Sequence, residues 1–266
     1  MEKFESVVRS AKYFLLDMDG TVYLGDELIG KMNETLDVLR NNGKKIIYLT
    51  NNSSKSRDKY VEKLSRLDLL REGDDIYTSG MAAADHLTAN YPGKSVCLLG
   101  TEALKREFIA RGVTLSDENA DICVLAYDTE LTYDKLCRFV GNLKRGATYI
   151  ATHPDVNCPA EKFFVPDAGA FIQLIYASTG LKPSLIIGKP YTTMGVNLSL
   201  KYNALPEQFI MVGDRLYTDI KFGIDCGFHT LLVLSGESTL KDVSALLDED
   251  KPELITDSLN DVVKYL

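Results

Sequence analysis

The chain has 266 residues, 45% of them hydrophobic and 26% charged, a balance that excludes disordered, collagenous and fibrous proteins. Its formal net charge of −8 argues against wholesale binding to nucleic acid or to anionic membranes. Five cysteines without C-x-x-C spacing argue against a disulfide framework or a thiolate zinc site, and no signal-like or membrane-length apolar stretch occurs, so a cytoplasmic setting is expected.

The first apolar run, 13–16, stops abruptly at Asp17-Met18-Asp19-Gly20-Thr21. A helix is predicted over 32–40, with Leu36 and Leu39 near one face and Asn42-Gly43 closing it. A strand over 46–49 then ends in Thr50-Asn51-Asn52-Ser53-Ser54, and a second helix over 56–69 carries Tyr60, Leu64 and Leu67 on one face. Further apolar runs follow at 95–99, 122–126, 148–151, 185–187, 209–212 and 230–234, and Asp167 reads as the start of a helix. Most of the runs are continuous rather than alternating, which suits strands covered on both faces. Strands alternating with helices predict a doubly wound, parallel α/β sheet.

Four runs end directly in polar, small or basic residues: YFLL-DMDGT, IIYL-TNNSS, LII-GKP and FIMV-GDRLYTD. Open parallel sheets bind ligands at the carboxyl ends of their strands, so these four tips are candidates for one site. Asp17 and Asp19 follow a wholly apolar run, where an unpaired carboxylate is costly, so a simple turn explains them poorly. One such carboxylate can bind a hard cation and attack an electrophile while the other moves a proton. Thr50, Asn51 and Asn52 offer a hydroxyl and two amides to phosphate oxygens, and capping is expected of Ser53 and Ser54. Lys189, between Gly188 and Pro190, supplies a point charge suited to a phosphoryl group. Asp214 is expected to complete an oxygen-rich Mg²⁺ site with Asp17 and a backbone carbonyl, and Asp219 to stand behind these ligands, to pair with Lys189, or to serve only as an acidic charge at a helix N-terminus. A P-loop is rejected, because no glycine lies five residues before Gly188 and Pro190 replaces the Ser/Thr. No G-x-G-x-x-G follows a strand either, which disfavours a dinucleotide-binding oxidoreductase.

DMDGTVYLGD, LTNNSSKS, IIGKP and GDRLYTDI, in this order and with the ATHPD…GAF segment between, resemble the haloacid dehalogenase superfamily of phosphatases. The resemblance is to its NagD-like or p-nitrophenylphosphatase group and runs over nearly the whole chain. It implies a Mg²⁺-dependent phosphomonoesterase acting on a small phosphorylated metabolite through an aspartyl-phosphate. Asp17 is then the nucleophile, and Asp19 the acid that protonates the leaving group and later activates water. Thr50 and Lys189 hold the phosphoryl group, and Asp17, the Asp19 carbonyl and Asp214 hold Mg²⁺. Relatives often read ATNPD where this chain has ATHPD, so His153 is expected to be either a substrate contact or a structural loop residue. The resembled group often dimerises through its cap, and the sequence leaves the oligomeric state open.

Asp17 and Thr50 lie 33 positions apart, room for one helix and a strand, whereas Thr50 and Lys189 lie 139 apart. An inserted domain is therefore expected in the second gap, in agreement with the C2-type cap that the resemblance implies. The expected division is a core of 1–79 and 183–266 with an α/β cap at 80–182. Two alternatives remain from the residues alone. A receiver-like phosphate-sensing module shares the Asp, Thr and Lys but needs neither Asp19 nor the long gap. A phosphotransferase of mutase type shares the whole constellation.

Overall fold

The computed structural model describes residues 2–158 and 163–266. The chain divides into two compact units, one of Met1–Thr50, Asp58–Tyr77 and Leu198–Leu266, the other of Asn51–Arg57 and Thr78–Asn197. The second unit thus reaches past the expected boundary at 182 and includes the loop that carries Lys189.

The first unit is built on a six-stranded sheet in the order Asp75–Thr78, Lys45–Thr50, Tyr13–Leu16, Phe209–Gly213, His229–Val233, Leu254–Thr256. Numbered along the chain this is 3-2-1-4-5-6, the doubly wound order, with parallel registers on both sides of Tyr13–Leu16. Phe14, Leu15, Leu16 and Ile210 to Val212 are fully buried, as strands covered on both faces must be. The winding reverses between Tyr13–Leu16 and Phe209–Gly213, so the crevice of the sheet opens at the tips that carry Asp17 and Asp214. The predicted first helix runs over Met32–Asn41 and buries Leu36 and Leu39; the second is shorter than its pattern, Arg57–Arg66. Ser53 and Ser54 do not cap it: the helix begins three residues later, and both hydroxyls are committed elsewhere.

The second unit holds a five-stranded parallel sheet in the order Thr114–Leu115, Ser95–Leu99, Ile122–Leu125, Thr148–Ala151, Leu185–Ile186. Its chain-order pattern, 2-1-3-4-5, is the other common doubly wound arrangement. The strand before Lys189 therefore belongs to this sheet, with Leu185 paired to Ile150 and Ile186 to Ala151. Asp167 starts the expected helix, Ala168–Thr179, which buries Ile172 and Ile175 under the sheet's apolar cluster. Among the described residues, no helix is long and apolar enough to cross a membrane.

Candidate active site

In the first unit, the run Tyr13–Leu16 has no charged side chain, so the chain leaves the sheet with Asp17 as its first charged group. Asp17 donates its backbone N–H to Val212 O (2.9 Å), which fastens this tip to the neighbouring strand that ends in Gly213-Asp214. After Asp214 the chain makes a π turn over Leu216–Ile220, with Ile220 N donating to Arg215 O at 3.2 Å. This turn begins directly after Asp214 and carries Asp219, whose Cβ packs where a side chain on Gly213 would stand, back toward the strand end. Carboxylate oxygens of Asp17, Asp214 and Asp219 accordingly all lie within 4.8 Å of one another. Asp219, expected behind the ligands, thus has its carboxylate in the cluster itself. It is fully buried and accepts a hydrogen bond from Arg215 N at 3.2 Å. Asp19 is exposed and is not one of the three; Gly20 N donating to Tyr23 O (2.8 Å) turns the chain directly after it. Thr50 is the last residue of its strand and half-buried.

Asp214 is held by several close contacts. Its Oδ2 accepts from Glu237 N (2.8 Å) and its carbonyl from Ser238 N (3.1 Å). A Cβ on Gly20 would lie 2.5 Å from Asp214 Oδ2, and one on Gly236 only 2.0 Å away, so two glycines make the cradle this carboxylate fills. Ser235 Oγ donates to Gly20 O (2.7 Å), closing the loop after His229–Val233 onto the Asp17 tip. Arg215 pairs with Glu237 at 3.0 Å, and Tyr217 donates its hydroxyl to the other Glu237 oxygen at 2.8 Å. Burial tends to lower Arg215, but Asp17 and its other anionic neighbours hold its guanidinium above even the usual range. None of 235–238 was singled out in the sequence. The signal was present, however: the run 230–234 ends in Ser-Gly-Glu-Ser, small and acidic like the four tips that were chosen.

This cluster fits a hard divalent cation. Three carboxylates converge in a buried place, and Asp214 Oδ1 is buried without any hydrogen-bond partner among the described residues. Burial first, and the Asp17 charge second, push the Asp214 carboxyl from 3.8 up to about 6. Like charges gathered away from water are costly without a counter-charge, and an all-oxygen set suits Mg²⁺ or Ca²⁺.

The other candidates lie in the second unit. Lys189 is 2% exposed. Its backbone N–H donates to Asn51 Oδ1 and its carbonyl accepts from Asn51 Nδ2, both at 2.8 Å. Asn51 Nδ2 also reaches the Asp155 carboxylate, at 3.1 and 3.3 Å. Asn52 Oδ1 accepts from Ser54 N and Ser54 Oγ, each 3.0 Å away, an Asx turn. His153 is fully buried. Its Nε2 meets Asp167 Oδ1 at 2.8 Å and its Nδ1 meets Thr152 Oγ1 at 3.0 Å, while Thr152 Oγ1 in turn meets Ser53 Oγ at 3.1 Å. Both ring nitrogens are thus engaged with protein, so the imidazole ties this loop to the start of helix Ala168–Thr179.

Known proteins resemble this chain over most of its length. The model of haloacid dehalogenase-like hydrolases matches residues 14–114, and a HAD-hydrolase-like model matches residues 186–262. An acid sugar phosphatase of Staphylococcus aureus is 35% identical over 237 residues, 89% of this chain and 91% of that one. Among solved structures, a 4-nitrophenylphosphatase of Thermotoga maritima is 41% identical with a TM-score of 0.91, covering 97% of this chain and 98% of the other. A glycerol phosphate phosphatase of Mycobacterium tuberculosis, solved in complex with calcium, is 27% identical with a TM-score of 0.89, covering 96% of this chain and 76% of that one.

Proposed function

The chain belongs to the haloacid dehalogenase-like hydrolases, and from that premise we propose that it is a Mg²⁺-dependent phosphomonoesterase acting on small phosphorylated metabolites. The observation that carries the reading is the trio Asp17, Asp214 and Asp219 at the reversal point of the first sheet, half-buried at Asp17 and buried at the other two, with one Asp214 oxygen lacking a hydrogen-bond partner among the described residues. The names of the relatives support the substrate class, sugar phosphates and p-nitrophenyl phosphate among them. The cysteine spacing in the sequence supports a reducing, cytoplasmic setting.

Mg²⁺ bound by Asp17, Asp214 and Asp219 with the Asp19 carbonyl would neutralise these carboxylates and the incoming phosphate, so that two anions can meet. A carboxylate oxygen of Asp17 attacks phosphorus and the bond to the ester oxygen breaks, leaving an aspartyl-phosphate. Asp19, exposed at the turn, gives its proton to the departing alkoxide. It then takes a proton from water, whose oxygen attacks the same phosphorus. The acyl-phosphate bond breaks, inorganic phosphate leaves and Asp17 is restored. Thr50 and Asn52 donate to phosphoryl oxygens, and Lys189 offsets their charge in the transition state. Asp219 is assigned as a third carboxylate toward the cation. Buried His153 is assigned to holding its loop rather than to touching substrate.

The test is hydrolysis of p-nitrophenyl phosphate by purified protein with and without Mg²⁺. Wild type turns over many times per chain only with the metal, which separates a phosphatase from a receiver-like module, and Asp17→Asn abolishes the activity. Full activity in Asp17→Asn sinks the assignment of the nucleophile. Release of free phosphate, with no transfer to an added sugar hydroxyl, separates hydrolysis from mutase chemistry.

A further inference from the structure

Asn51 stands directly after Thr50, in the stretch read from the sequence as a phosphate cradle. Its side chain is placed otherwise. An amide offers two N–H donors and one carbonyl oxygen. Here the oxygen accepts from Lys189 N (2.8 Å), one donor direction goes to Lys189 O (2.8 Å), and the other goes to Asp155 (3.1 Å). Because Lys189 N can only donate and Lys189 O only accept, the backbone of that residue fixes which way the amide points. Neither N–H is left to point at a phosphate.

The approach is close enough to restrict the sequence around it. A Cβ on Gly188 would lie 2.6 Å from Asn51 Oδ1, 2.8 Å from Thr152 O and 2.9 Å from His153 Cβ. Only glycine lets the Lys189 loop lie against this amide. Gly188 N donates to Thr152 O (2.8 Å) and Ile187 N to Ala151 O (3.0 Å), so the neighbouring strand carries the ladder up to the residue at which Asn51 takes over. Ser79 Oγ donates to Asn51 O, which holds the clamp's own backbone.

We propose that Asn51 is a positioning residue for Lys189, clamping both backbone polar groups of that residue with one side-chain amide, and that it makes no direct contact with the phosphate. The inference rests on the reading of Lys189 as the phosphoryl-binding cation. A lysine's flexible four-carbon stem supplies charge but little direction, so the place of its backbone sets where the ammonium can reach. Loss of the clamp frees the loop, and misplacement by about 1 Å costs roughly 100-fold in rate.

The experiment is a double-mutant cycle on kcat/KM for p-nitrophenyl phosphate with Mg²⁺, using Asn51→Ala and Lys189→Ala singly and together. Asn51→Ala is expected to lose roughly 30- to 100-fold in the wild-type background and less than about threefold in the Lys189→Ala background. Losses that multiply in the double variant overturn the proposal, because Asn51 then acts on the phosphate independently. Full activity in Lys189→Ala overturns the reading of Lys189 itself, and the clamp falls with it. Far-ultraviolet circular dichroism and the thermal midpoint check that each variant is folded in both units. If Asn51→Ala is not, Asn51→Ser, which keeps a small polar group at this position, takes its place in the same cycle with the same deciding outcomes.

Discussion

Replacing Asp214 by Asn tests the carboxylate cluster as a metal site without relying on turnover. Burial and the charge of Asp17 move the Asp214 carboxyl from 3.8 in the unfolded chain to about 6 in the fold. Each tenfold change in proton affinity is about 1.4 kcal/mol, so holding this group ionised costs the metal-free protein about 3 kcal/mol. The folded-state value is the higher of the two, so the cost is absent below pH ~4 and grows as pH rises from 4 through 6. It is fully present above pH ~7. Asn keeps the acceptor for Glu237 N and removes the charge. In EDTA at pH 8, Asp214→Asn should therefore be more stable than wild type by about 3 kcal/mol, a rise in thermal midpoint of roughly 5–10 °C for the first unit. At pH 4 the two should differ by less than about 1 kcal/mol. Saturating Mg²⁺ should raise the wild-type midpoint and leave that of the variant nearly unmoved. The assay is differential scanning calorimetry at the two pH values with EDTA or Mg²⁺. Equal stability at pH 8 in EDTA, or equal stabilisation of both proteins by Mg²⁺, would refute the reasoning.

Three further outcomes are expected. Gly236→Ala places a methyl 2.0 Å from Asp214 Oδ2 and should weaken Mg²⁺ activation of p-nitrophenyl phosphate hydrolysis by at least about tenfold, read as the metal concentration for half-maximal rate. Arg40 bonds Asp74 at 2.6 and 3.0 Å with both groups largely buried, so Arg40→Ala should cost roughly 3–5 kcal/mol in urea denaturation. His153→Asn removes the imidazole held between Asp167 and Thr152; it should lower stability by about 1–3 kcal/mol and leave the ranking of a phosphorylated-metabolite panel unchanged, whereas a reordered ranking shows that His153 meets substrate.

The eight apolar runs that were read as strands all appear in the two large sheets, because continuous apolarity is what burial on both faces demands. The large-sheet strands missing from the sequence reading, Asp75–Thr78, Thr114–Leu115 and Leu254–Thr256, all lie at sheet edges. An edge strand is covered on fewer sides and tolerates Asp75 or Thr114, so its pattern is too short and polar to stand out. The strand at 185–187 was found, but no local signal shows which sheet it joins, since pairing with Ile150 and Ala151 is a matter of topology. The carboxylates were legible because an acid directly after an apolar run is costly without a partner. The orientation of Asn51 was not, because its partner lies 138 residues away and the amide serves phosphate or backbone equally well by composition. Asp219 entered the cluster through a π turn, and the sequence pattern of GDRLYTDI does not distinguish that turn from an ordinary helical one.

The central claim is that Asp17 carries the phosphoryl group. Asp19→Asn is the variant in which to see it, because p-nitrophenolate leaves without needing a proton whereas the attacking water still needs a base. The variant should therefore form the acyl-phosphate and hydrolyse it slowly. Incubation with p-nitrophenyl phosphate and Mg²⁺, reduction with borohydride and peptide mass spectrometry should find homoserine at position 17. The product should depend on both substrate and metal and be absent when Asp17→Asn is added. Sustained hydrolysis by the wild type together with an unmodified Asp17 in this trap, or the adduct at another residue, would contradict the account.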